Sequence, residues 1–160
     1  MSINLANDGS LPPGAHSAAP DDVRAAYSDS PRRLVVDAAL ASAARLRQCF
    51  DVQRILLGGD FVDPATRGER GRMLVCVRDT SSIEAGMLAA DNMPLSLLTT
   101  FDAFVTFPYL PDEPVQVRAS TLLPVGGLLD TALYLDHQLR RSQAYVHWLG
   151  GGGGYLEVTS

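Results

Sequence analysis

The chain has 160 residues, of which 46% are hydrophobic and 19% charged, a size and balance that suit one globular domain able to bury a core without staples. Its net charge of −5 disfavours non-specific nucleic-acid binding. All 13 basic residues are arginine, which excludes lysine Schiff-base and P-loop chemistry, and no apolar run approaches the roughly eighteen residues of a membrane span.

Residues 1–19 hold Gly9, Pro12, Pro13 and Gly14 with little periodicity and read as a partly ordered N-terminal arm, leaving 20–160 as the domain. The first ten residues are polar and lack a charged-then-apolar leader pattern, so the expected location is the cytoplasm. Pro20, Asp21 and Asp22 can open a short helix to about residue 27, since proline suits the first helical position and early carboxylates complement the helix dipole. Ser30-Pro31 is a clearer start, for a helix over 31–49. Val36, Leu40, Ala43, Leu46 and Phe50 recur on one side of it, and Arg33 and Asp37 stand one turn apart.

An apolar strand over 54–57 stops at Gly58-Gly59, and a polar connection over 60–71 leads to a second strand over 73–77. Short helices are expected over 82–90 and 94–99, and strands over 101–109 and 115–122. Leu128, Ala132, Leu135 and Leu139 fit an amphipathic helix of about fourteen residues, with Arg140 and Arg141 at its cation-favouring end. Strands over 144–148 and 155–158 would flank a loop of consecutive glycines, Gly150 to Gly154.

The order Leu11-Pro12-Pro13-Gly14, helix, strand, Gly58-Gly59-Asp60-Phe61, loop, then Gly71-Arg72-Met73-Leu74 resembles the polymerase-beta-type nucleotidyltransferase superfamily, and within it a group of small bacterial nucleotidyltransferase-like proteins. The resemblance covers most of the chain. It implies an α/β (α+β) fold, a mixed sheet flanked by helices. It also implies a site in which two glycines let backbone approach a triphosphate and a serine and a helix N-terminus bind its oxygens. Two carboxylates spaced two apart on a strand, with a third from a neighbouring strand, would hold two Mg²⁺ ions there.

This chain departs from that pattern where the chemistry sits. Asp60 takes the serine position and would repel phosphate; Arg72 and Leu74 take the paired carboxylate positions. Arginine is a fixed cation without an acceptor, and leucine has no polar side-chain atom. The third carboxylate is expected on the 115–120 segment, which offers none. The expected vestigial cleft is therefore Gly58, Gly59, Asp60, Arg72, Leu74 and Cys76, with no catalytic residue, no metal ligand and no cofactor. Arg72 either pairs with Asp60 across the former metal site or is a solvated arginine at a strand end.

Three functional readings follow. The first is a non-catalytic protein that binds a protein partner, or itself as a homodimer; the resemblance places it in antitoxin, immunity or defence contexts. The aromatic stretch Phe101, Phe104, Phe107 and Tyr109 and the edge strands near the C-terminus are the candidate surfaces, core packing being the plainer reading of the aromatics. The second is a Mg²⁺-dependent nucleotidyltransferase or nucleotide binder with rearranged carboxylates. Asp60, Asp63, Glu69 and Asp79 would supply a displaced metal site, and Arg67, Arg70 and Arg72 phosphate contacts; a solvated, charge-balanced loop is the simpler reading. The third is a small-molecule binder using the vacated cleft. Cys49 and Cys76 read as buried thiols, and His16, His137 and His147 are too scattered for zinc and lack a nucleophile to serve.

Overall fold

The computed structural model describes residues 3–29, 32–79, 104–106, 115–122, 127–135, 149 and 153–159. In chain order the elements are β1 (Gly14–Ala18), α1 (Pro20–Ala26), α2 (Arg32–Cys49), β2 (Val52–Gly58), a 3-10 turn (Asp60–Val62), β3 (Arg70–Val77), β4 (Phe104–Thr106), β5 (Val115–Leu122), β6 (Leu128–Leu135) and β7 (Gly154–Val158). The strands form one mixed sheet in the order β1-β7-β2-β3-β6-β5-β4. The helices expected over 82–90 and 94–99, the strand over 144–148, and most of the aromatic stretch lie outside the described residues, as do His137, His147, Arg140 and Arg141.

The first helix starts as its sequence dictates, whereas the Ser30-Pro31 start expected for the second lies outside the described residues. Pro20 occupies the first turn of α1 with Asp21 and Asp22 beside it. The expected stripe Val36, Leu40, Ala43, Leu46 and Phe50 is buried, joined by Val35 and Ala39. The valine, leucine and phenylalanine side chains among them contribute roughly 1.5–3 kcal/mol each when fully withdrawn from water. The Arg33–Asp37 pair forms at 3.8 Å, but both side chains are at least half exposed, so it adds little.

The segment from Leu128 is not the expected helix. It is β6, hydrogen-bonded to β3 in parallel on one side and to β5 in antiparallel fashion on the other. Leu128, Ala132 and Leu135 satisfy helical spacing, but so does any leucine-rich central strand. A strand covered on both faces reads as a continuous apolar run, and only its neighbours decide the matter. The arm is likewise more ordered than expected. Residues 14–18 form β1, an edge strand parallel to β7, with Gly14 opposite Gly154 and Ala18 opposite Val158. A strand whose partner lies far along the chain leaves no local signal.

Alternation along the strands sorts side chains onto two unlike faces. Ile55, Leu57, Met73, Val75, Leu129, Leu133 and Leu156 join the buried stripe of α2 in the main core. Leu56, Leu74, Cys76 and Ala132 form a smaller apolar cluster with Leu149 and Tyr155.

Candidate functional site

On the face opposite α2, the strand ends next to the smaller cluster become polar. Gly58, Arg72 and Asp130 lie abreast on β2, β3 and β6, and Asp130 is in register with Ser120 of β5. One residue pair further in, Leu56, Leu74 and Ala132 form an apolar row. The polar end opens into a cleft of about 560 Å³ whose lining includes Ser10, Gly59, Asp60, Asp63, Arg70, Arg72, Asp130, Gly153 and Gly154.

Local backbone needs shape its walls. Gly59 has φ +103°, and a Cβ there would stand 3.0 Å from the Arg72 backbone nitrogen. The glycine therefore lets the chain turn sharply over the start of β3. At Gly154 a Cβ would meet the Leu11 carbonyl oxygen at 2.9 Å and Leu11 Cγ at 2.8 Å, so the arm can close down on β7 only where the side chain is absent. Phe61 is fully buried and meets Tyr27 edge-on, with ring centroids 5.0 Å apart. The connection expected to be polar throughout is thus anchored in the main core directly beside the cleft.

The structure redistributes the expected site residues. Gly59, Asp60 and Arg72 line the cleft, and so does Arg70, which shares Arg72's face of β3. Leu74 and Cys76 have no solvent exposure. They lie in the small cluster with Leu149, whose carbonyl oxygen would stand 2.6 Å from a Cβ at Gly58. That part of the expected cleft is filled. Arg67 is 88% exposed, 4.0 Å from Glu69, and does not line the cleft. No Asp60–Arg72 pair is found among the ion pairs of the described residues. His16 is occupied elsewhere, its Nε2 lying 2.6 Å from the Pro12 carbonyl oxygen.

Two placements were not legible. The strand beside β3 is β6, not the 115–120 segment, so the carboxylate on the neighbouring strand is Asp130. Its signal in the sequence is that it is the one charged residue in the apolar run Leu-Leu-Asp-Thr-Ala-Leu-Tyr-Leu. Arg32, at the start of α2, donates to the carbonyls of Phe61, Asp63 and Thr66, a role nothing in its neighbours announces.

The donor set does not suit the Mg²⁺ ions of the resemblance. Arg72 and Leu74 offer no side-chain oxygen, and Glu69 and Asp79 flank opposite ends of β3, whose eight residues alone span about 23 Å by strand rise. Among the described residues, no group of three or more His, Cys, Asp or Glu side chains is placed to hold a metal. Among the described residues of the cleft lining, the hydroxyl is Ser10 Oγ, which donates to Asp8 Oδ1 at 2.5 Å. The Ser10 side-chain and backbone hydrogen bonds hold the Asp8 carboxyl below its ordinary value, which makes it a poor base.

The cleft lining thus brings together two guanidinium groups, a group type suited to carboxylate or phosphate, and three carboxylates, a group type suited to ammonium or hydroxyl. No helix of the described residues is long and apolar enough to cross a membrane. Comparisons with protein-family models, curated proteins and solved structures find no match to this chain.

Proposed function

We propose that this chain is a non-catalytic binding protein of nucleotidyltransferase-like build whose cleft receives a small zwitterionic ligand. One observation carries the reading: Arg70 and Arg72 share a single glycine-walled cleft with Asp60, Asp63 and Asp130. Its volume lies within the range of ordinary small-ligand sites. Opposite charges on one wall select a ligand that carries both signs, because a purely anionic or purely cationic ligand would place charge against an unmatched partner. Arg72 and Leu74 at the paired carboxylate positions support a loss of nucleotidyl transfer, with Asp130 left beside an arginine where a metal would stand.

The test is a thermal-shift panel of free amino acids, each with its N-acetyl and carboxamide derivatives, and of nucleoside triphosphates with and without Mg²⁺. A free amino acid at a hundredfold excess over its Kd stabilises the fold by about 2.7 kcal/mol. That is a rise of several degrees. Both derivatives should lose the shift, as should the Arg72→Ala variant. A shift only with triphosphate and Mg²⁺ would restore the nucleotidyltransferase reading. No shift with any compound would remove the zwitterion.

The reading as a partner-binding protein draws on a different feature, the position of β1 at one end of the sheet order. An edge strand can accept a strand from another chain, or from a second copy of this one. Light scattering that finds a dimer dissociated by proline at Ala15 or Ser17 supports it; a monomer at all concentrations removes the homodimer.

A further inference from the structure

We infer that Arg32 is a positioning residue for the cleft, a clamp on α2 that fixes the wall carrying Asp60 and Asp63. The inference rests on the cleft being the binding site. Arg32 Nε donates to the Phe61 carbonyl at 3.0 Å, and one terminal nitrogen donates to the carbonyls of Asp63 and Thr66 at 2.8 and 2.7 Å. Three carbonyls of one loop are thus gathered on a single guanidinium more than 28 residues away in sequence.

Thr66 completes the clamp. Its Oγ1 lies within donating distance of the Asp60 carbonyl at 2.6 Å and the Asp63 carbonyl at 2.9 Å, and accepts from the Gly68 N–H at 3.2 Å. The side chain of Arg32 runs so close over Gly68 that a Cβ there would fall 2.7 Å from Nε. On the other side of the loop, Phe61 and Val62 are buried in the main core. The backbones of Asp60 and Asp63 are therefore held from outside by a fork and from inside by apolar packing, while both residues line the cleft.

A guanidinium is suited to this task because its donors are planar and fixed. A lysine ammonium supplies charge and three donors on a freely rotating head, so it can satisfy the carbonyls without fixing their relative positions. This separates positioning from simple charge: lysine restores the charge, not the geometry.

The experiment compares Arg32→Ala, Arg32→Lys and Thr66→Val with the unaltered chain. It measures amide hydrogen exchange across 60–69 and the calorimetric Kd of the tightest-binding amino acid of the panel. Removing charge-assisted hydrogen bonds should speed exchange over 61–68 by about tenfold or more and weaken binding by about tenfold in Arg32→Ala. Amides of β3 should stay protected, and Arg32→Lys should recover only part of the affinity. Faster exchange with unchanged affinity would reduce Arg32 to a structural staple and overturn the inference, as would unchanged exchange. If the unaltered chain binds no amino acid, the zwitterion reading fails and the positioning role falls with it, whereas binding that is unchanged in Arg32→Ala overturns the positioning role alone. Should Arg32→Ala not fold, the Lys and Thr66→Val variants carry the same comparison.

Discussion

The two faces of the sheet are cut from the same strands, yet they do different work. On the α2 face, Ile55, Leu57, Met73, Val75 and Leu133 meet a long helix and are fully or almost fully buried. On the opposite face, the apolar row Leu56, Leu74 and Ala132 gives way within one residue pair to Gly58, Arg72 and Asp130. Strands set the alternation, and on this face Leu149 both packs in the apolar cluster and lines the cleft. Arg32 joins the two, because a residue of the helix-side element holds the loop that walls the other side.

Substitutions should distinguish the two faces. The largest effect is expected at Phe61→Ala, which should cost about 3–5 kcal/mol in denaturant titration, because it empties the main core and releases the loop at once. Leu74→Ala, in the small cluster beside the open cleft, should cost about 2–3 kcal/mol, since that site has more freedom to collapse. Equal costs at the two positions would mean that the smaller face is packed as tightly as the larger.

Gly154→Ala should lose about 1–3 kcal/mol by overpacking against Leu11 and the Pro12 carbonyl. It should also raise hydrogen exchange in β1, which this contact holds against β7. Tyr27→Phe should act in the opposite direction. The Tyr27 hydroxyl is buried with no hydrogen-bond partner among the described residues, so its removal should raise stability by about 1 kcal/mol. Burial pushes the Tyr27 hydroxyl up to about 12, partly opposed by Arg32. Between pH 10 and 12 the folded chain keeps a proton that the unfolded chain gives up, so stability falls as pH rises through that window. The phenylalanine variant should lose that share of the slope in pH-dependent unfolding. Smallest for the fold is Arg72→Ala, expected to shift stability by about 1 kcal/mol or less while removing the ligand-induced shift.

Part of the site was legible because it is local. Gly58-Gly59 stops a strand and turns the chain. That Arg70 and Arg72 share a strand face was not legible, because the connection was expected to reach residue 71 and β3 begins at Arg70. The burial of Leu74 and Cys76 was not legible, because their cover includes Leu149 and Tyr155, some eighty residues on. Asp130 was missed for a related reason. Its segment fits helical spacing as well as a buried strand, and the sequence holds no preference strong enough to choose.

By itself, then, the sequence determined α1 and α2, the strands that break at glycine or carry alternating apolar residues, and the absence of oxygen ligands at Arg72 and Leu74. Those are set by spacing, caps and side-chain chemistry within a few residues. Tertiary structure alone decided that 128–135 is a strand, that 14–18 joins the sheet edge, that Asp130 stands beside Arg72, and that Arg32 grips the cleft loop. Each depends on partners dozens of residues away. Hydrogen bonds between distant strands, and a guanidinium reaching across a loop, have no periodicity from which to be read.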